Sequence, residues 1–222
     1  MDSGTVFKFD VPFGLGCAYG KMVDFSGLSL YYGITIKVYD YFEDKENIEA
    51  SFFKDMPLFM NPIPVVKMPS LRGKSAWKKI GVIKERSDMD IPVYKRYAHE
   101  GFAWETLEEY ENKEWYAFTD LKTEIGPASF NQIRHLEELF WRSTVTIESR
   151  VAMQLLRHQK ADVEEFFSSK DESKSWRVDY NTQKFIPLYK DLPEPIRGRP
   201  LIKGWVPDEY LNFSFSQFNR PS

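Results

Sequence analysis

Gly4-Thr-Val-Phe-Lys-Phe-Asp-Val-Pro12, Phe13-Gly-Leu-Gly16 and Cys17-Ala-Tyr-Gly-Lys-Met-Val23 open the chain with the pattern of two short strands around a glycine turn. Val6, Phe9 and Val11 alternate loosely with polar residues, as a strand buried on one face requires. Gly14 and Gly16 can take the positive φ angles that close a hairpin. Working outward, Phe25-Ser-Gly27 reads as a second turn. Leu28 to Tyr41 is rich in Tyr, Ile and Val, which suits a central strand, with Gly33 marking a bulge or bend. Pro57, Pro62, Pro64 and Pro69 interrupt a segment that still holds Ile63, Val65 and Val66, so an edge strand and loops are expected there. Trp77 to Ile83 reads as another strand and Ile91 to Tyr94 as a short extended piece.

The second half changes character. Gly126-Pro127 reads as a break, and Ser129 followed by Gln132 fits a capping box that starts a helix. Ile133, Leu136, Phe140, Ile147, Val151 and Leu155 fall at helical spacing, with Arg134, Glu137, Glu138, Arg150 and Arg157 elsewhere on the wheel. One long helix over 129–158 follows, weakened near Ser143 by the β-branched run Thr144-Val-Thr-Ile147. Asp162 to Phe167 adds a helical turn, and Lys170 to Ser175 reads as an exposed loop. Trp176 to Tyr180 and Lys184 to Ile186 are expected to pair as a hairpin across Asn181-Thr182. Pro187, Pro193, Pro195, Pro200 and Pro207 predict an irregular tail on the surface. The echo of Ile91-Pro-Val-Tyr-Lys95 in Ile186-Pro-Leu-Tyr-Lys190 has no similar flanks and reads as coincidence, not duplication.

The expected fold is therefore α+β: a curved, partly closed antiparallel sheet packed by one long helix in the C-terminal half, with a proline-rich tail. A β-rich domain spans 1–125, and 126–222 supplies the helical segment, hairpin and tail, packed on the first as one unit.

Over 222 residues, 42% hydrophobic and 16% aromatic content is ample for a packed core. Lys+Arg 30 against Asp+Glu 33 gives a formal charge of −3, so no global basic field attracts nucleic acid or an anionic membrane. The single cysteine, Cys17, and the start Met1-Asp2-Ser3-Gly4, which is unlike a signal peptide, lead to the expectation of a cytoplasmic protein. Every apolar run is short, so no membrane association is expected.

Catalytic chemistry finds little footing. His99, His135 and His158 have no ligand spacing to one another or to Cys17, and they read as surface or capping residues. Cys17 sits in an apparent strand, where a small buried hydrophobe is the better reading than a nucleophile. Gly14-Leu-Gly16 is too short for a phosphate loop. No catalytic residue, metal or cofactor is assigned.

Two charged constellations remain. Lys67, Arg72, Lys74, Lys78, Lys79, Lys84 and Arg86 surround Trp77, the mixture that nucleic-acid grooves use, although lysines that protect a sheet edge explain it better. Trp104-Glu-Thr-Leu-Glu-Glu-Tyr-Glu-Asn-Lys-Glu-Trp115 sets Glu105, Glu108, Glu109, Glu111 and Glu114 among Trp104, Tyr110 and Trp115. A solvated helix or strand pair explains this segment slightly better, but it or the acidic run 40–49, with Asp40, Glu43 and Asp44, is the candidate contact face for a basic protein partner, since charge steers association and buried aromatics supply binding energy.

Gly4, Phe7 and Pro12, the strand Tyr19-Gly20-Lys21, the aromatic run Tyr31 to Tyr41, and Trp77, Ile80 and Gly81 together resemble the immunity-protein-26 family of bacterial polymorphic-toxin systems, over residues 4–97. The resemblance implies a non-enzymatic protein that binds and neutralises a cognate toxin domain, for instance a nuclease whose basic substrate face would meet acidic side chains. It transfers no binding residue, because the shared motifs look like scaffold. The competing readings are a nucleic-acid-binding module centred on Trp77 and helped by Lys184, Lys190, Arg197, Arg199 and Lys203, and a hydrolase using Cys17 or paired carboxylates.

Overall fold

Alternating apolar residues and a glycine-closed turn pair Thr5–Asp10 (β1) with Cys17–Asp24 (β2) as an antiparallel hairpin, Phe7 opposite Gly20 and Phe9 opposite Ala18. The turn is closed by the Val11 N–H donating to the Gly16 carbonyl at 2.9 Å. Phe13, Gly14 and Gly16 all take positive φ there. The structure, a computed structural model, describes residues 3–26, 33–65, 77–97, 107–119, 124–139, 144–170, 176–184 and 186–218.

The further strands are Ile34–Val38 (β3), Ile63–Val65 (β4), Lys78–Val82 (β5), Tyr94–Tyr97 (β6), Trp115–Phe118 (β7) and Glu124–Ala128 (β8). The helices are Leu107–Glu111 (α1), Phe130–Ile133 (α2), Thr144–His158 (α3), Val163–Lys170 (α4) and Trp176–Gln183 (α5). The fold is mixed α+β with antiparallel pairing throughout its sheets. In place of the single curved sheet expected up to residue 125, the described residues form two, a five-stranded sheet ordered β4-β3-β2-β1-β5 and a three-stranded sheet ordered β6-β7-β8.

The chain divides into two compact units. Residues 1–91 and 141–155 form the first, and 92–140 with 156–222 the second, so the boundary expected at 125/126 falls inside β8. Gly126-Pro127, read as a break, belongs to this edge strand, where a proline costs no ladder hydrogen bond.

In the first unit both sheet faces are covered. On one, Val6, Tyr19 and Tyr39 pack with Ala50 and Phe53. On the other, Trp77 stacks on Phe9 with ring centroids 4.2 Å apart and meets Phe7 edge-on at 5.9 Å. The Trp77 Nε1–H donates to Glu148 Oε1 at 2.7 Å, which ties α3 to this face. Ile147, Val151, Ala152 and Met153 are fully buried.

The second unit has its own core of Val93, Trp115, Ala117, Phe130, Ile133 and Leu136. The Ser129 to Gln132 capping box is present at α2, with the Ser129 N–H donating to Gln132 Oε1 at 2.9 Å. The single helix expected over 129–158 is nevertheless interrupted. After α2 the chain turns out of helix, and 137–139 bond to β6 through Lys95 N–H to Glu137 O at 2.9 Å and Leu139 N–H to Lys95 O at 2.8 Å. Phe140 lies outside the described residues, and helix resumes at Thr144. The hairpin expected over 176–186 is the helix α5 instead. Within 186–218 the chain runs through short turns whose Leu192, Ile196, Leu201, Val206 and Phe215 form a buried cluster, rather than a strap lying on the surface. The two Pro-containing echoes differ locally, one leading into β6 and the other into a tight turn at Tyr189–Asp191.

Candidate partner-binding surface

Residues 40–55 leave the first sheet after Tyr39, which bridges to Leu58 on the way back. The excursion is clamped from beneath by aromatic rings: Phe53 is buried against Tyr19 at 4.8 Å and Tyr39 at 5.0 Å. In the tight turn Ala50–Phe53 the two neighbouring rings meet edge-on at 5.3 Å, but Phe53 is buried while Phe52 stands 45% exposed, edge-on to Tyr41 at 5.1 Å. Further ties are Tyr19 Oη–H to the Glu43 carbonyl at 3.3 Å and Lys8 Nζ to Asp44 Oδ1 at 2.5 Å. The contact with Asp44 holds the Lys8 ammonium above its ordinary range.

The charge on this segment is concentrated and outward. It carries six acidic residues, Asp40, Glu43, Asp44, Glu46, Glu49 and Asp55, against Lys45 and Lys54, a formal −4 where the whole chain has −3. All six carboxylates are exposed. Lys45 lies 3.5 Å from Glu43 and over the rings of Tyr41 and Phe52 at 5.4 and 5.5 Å. Solvated pairs of this kind contribute little energy and leave the negative field standing. The result is an acidic segment with an exposed aromatic, backed by buried rings, the composition that suits a basic protein surface.

The other acidic segment is less suited than its sequence suggested. Trp104 and Glu105 lie outside the described residues. Glu108 and Glu109 are exposed on α1, which also contains Tyr110. Glu111 is half-buried with Oε1 4.0 Å from the Arg134 guanidinium, and exposed Glu114 accepts a hydrogen bond from Tyr116 Oη at 2.5 Å. Trp115 is a correction: it is 2% exposed, meeting Tyr97 and Phe130 in the core with Lys95 Nζ 5.7 Å from its ring centroid, and it offers nothing to a partner.

The basic stretch loses its aromatic in the same way. Trp77 is 2% exposed and committed to Phe9 and Glu148, so no base can stack on it. Lys67, Arg72 and Lys74 lie outside the described residues, while Lys78, Lys79, Lys84 and Arg86 are exposed along and beyond the edge strand β5. In the tail, Arg197 donates to the carbonyls of Leu192 and Lys190 at 2.9 and 2.8 Å, a structural use of its guanidinium.

One ionic cluster went unrecognised in the sequence. Lys21 on β2 and Lys37 on β3 face each other across the ladder while 1% and 7% exposed, an arrangement that repels unless carboxylates intervene. Glu85 and Asp88 do so from the turn after β5. Lys21 pairs with Glu85 and, at 2.6 Å, with Asp88; Lys37 lies 3.5 Å from Asp88 and donates to the Ser87 carbonyl at 2.8 Å. Glu85 Oε1 also accepts the Asp55 N–H at 2.7 Å, which anchors the end of the acidic segment. Burial lowers the Lys37 pKa against the raising effect of Asp88.

Cys17 is buried with Sγ 3.8 Å from the Phe42 carbonyl, and burial raises its thiol above the usual range, the reverse of nucleophile activation. His99 lies outside the described residues and His158 is half-buried, but His135, read as a surface or capping residue, is fully buried. Its Nε2 lies 2.6 Å from the Arg199 carbonyl, and its ring stacks on Phe215 at 5.3 Å. Among the described residues no helix is long and apolar enough to cross a membrane. Compared with family models, curated proteins and solved structures, the chain matches none.

Proposed function

We propose that this chain is an immunity protein of a bacterial polymorphic-toxin system, acting in the cytoplasm by binding and neutralising a cognate toxin domain without catalysis. The observation that carries the reading is the acidic segment 40–55, which has six exposed acidic residues and a 45% exposed Phe52 backed by buried aromatic rings. An inhibitor needs a stable scaffold and a complementary face, and both stand within one unit. A basic partner such as a nuclease toxin would meet these carboxylates where it otherwise meets phosphates. The family resemblance in residues 4–97 supports the same function.

The test is co-expression with the toxin domain encoded by the neighbouring gene. Growth is expected to be restored by the parent chain and not by Glu43→Lys/Asp44→Lys/Phe52→Ala. A neighbouring gene without a toxin domain, or a toxin that kills equally with and without the chain, would overturn the reading.

A further inference from the structure

The turn between β1 and β2, Val11-Pro-Phe-Gly-Leu-Gly16, sets an aromatic residue where the backbone favours glycine. Phe13 has φ 64 and ψ 23, the left-handed region in which a Cβ crowds the following carbonyl. Among the described residues, Asn47, Asp55 and Lys160 share a positive φ with it. Asn and Asp enter this region readily through their short polar side chains, whereas a bulky aromatic there is an outlier. Burial does not account for the choice, because Phe13 is 39% exposed. Backbone strain kept at an exposed position points to a use outside the fold.

The place of the turn says what that use is. Gly14 and Gly16 are exposed, and among the described residues nothing lies within 4 Å of where a Cβ on Gly14 would stand, so the tip projects. Its other side borders the start of the acidic segment. The Phe42 carbonyl oxygen is 3.9 Å from the place of a Cβ on Gly16 and 3.8 Å from Cys17 Sγ, and the strands below the tip hold Glu43 and Asp44 through Tyr19 and Lys8. Lys8 and Lys45 pair with Asp44 and Glu43, while exposed Asp10, Asp40 and Glu46 keep the balance of this border negative. A projecting aromatic beside carboxylates combines the two parts of a protein contact, an apolar anchor and a charged surround.

We infer that Phe13 is a second aromatic anchor of the acidic segment, entering an apolar recess of the basic partner while the neighbouring carboxylates meet that partner's cations. The inference rests on the toxin-binding reading and adds the β1–β2 tip to the contact surface.

The test is the affinity of the purified chain for the toxin domain encoded by the neighbouring gene, measured for the parent and for Phe13→Gly beside their melting temperatures. Glycine takes a positive φ without strain, so Phe13→Gly should melt within about 5 °C of the parent. It should bind the toxin domain about tenfold or more weakly. A smaller loss of affinity, with the parent binding, would overturn this inference and leave the toxin-binding reading standing. A melting temperature lowered by more than about 5 °C, or failure to fold, would assign the ring to the turn itself and overturn it as well. A toxin domain that does not bind the parent would overturn the reading beneath it, and the inference with it.

Discussion

Burial of His135 converts one side chain into a pH-dependent stability contribution. Desolvation lowers its pKa from 6.5 to about 4, opposed by its contact with the Arg199 carbonyl and reinforced by Lys95 and Arg134. Because the folded value is the depressed one, the unfolded chain binds the proton first as pH falls. The stabilisation is therefore complete above pH 6.5, is lost on descent towards 4, and falls no further below that. The loss is on the order of 3 kcal/mol. Unfolding free energies at pH 7 and pH 4.5 should fall further in the parent than in His135→Phe; equal falls would show that the imidazole does not stay neutral in the fold.

At the same scale, Lys21→Met leaves Glu85 and Asp88 facing an apolar side chain. It should cost about 3–5 kcal/mol in a urea titration, as removal of one partner from a buried ion pair does. A cost near that of a surface substitution would show the cluster to be solvated. Its signal was present in the sequence, since Lys21 shares strand parity with Tyr19 and Val23, a lysine on an otherwise apolar face. Trp77 and Trp115 misled for the converse reason. Each sits among charges, but the indole is buried while the charged neighbours Lys78, Lys79 and Glu114 are exposed.

Among the elements, β1 and β2 were legible because local pattern and turn glycines agreed there, β4 because Ile63 and Val65 stand among prolines that confine a strand to an edge, and β5 from the run Trp77 to Ile83. The helix over 129–158 was only half legible. Its apolar spacing is real, but Arg134, Glu137 and Glu138, placed on the outer side of the wheel, are buried, and hydrogen bonds from Lys95 draw 137–139 into pairing with β6. That contact spans some forty positions of chain, and no local propensity encodes it. For α3, Ile147→Asp would bury an unpaired charge at a fully enclosed position and should cost several kcal/mol, about the margin by which a domain is stable. Melting within a degree or two of the parent would contradict that enclosure. For β5, the exposed lysines at the sheet edge discourage pairing with a second chain. Lys78→Val/Lys79→Val should make association concentration-dependent in size-exclusion chromatography, and unchanged elution across concentrations would assign the lysines another role.

Across the whole molecule, the near-neutral composition conceals an uneven distribution. The acidic segment 40–55 exceeds the net charge of the entire chain, yet it is held by buried Phe53, by Lys8 and by Glu85 on the sheet of the first unit. The sequence identified the acidic run itself and its members Asp40, Glu43 and Asp44. Nothing local in the sequence distinguishes Phe52 from Phe53, although one is 45% exposed and the other buried. The most direct measurement is the affinity of the purified chain for its cognate toxin domain at low and high salt, with Phe52→Ala and Glu43→Lys/Asp44→Lys alongside. The account predicts that Phe52→Ala loses at least about 2 kcal/mol, roughly thirtyfold, while its unfolding free energy stays within about 1 kcal/mol of the parent. It also predicts that the charge reversal slows association most at low salt. Affinities unchanged in both variants would contradict the assignment of this surface, and a toxin domain that does not bind the parent chain would contradict the proposed function itself.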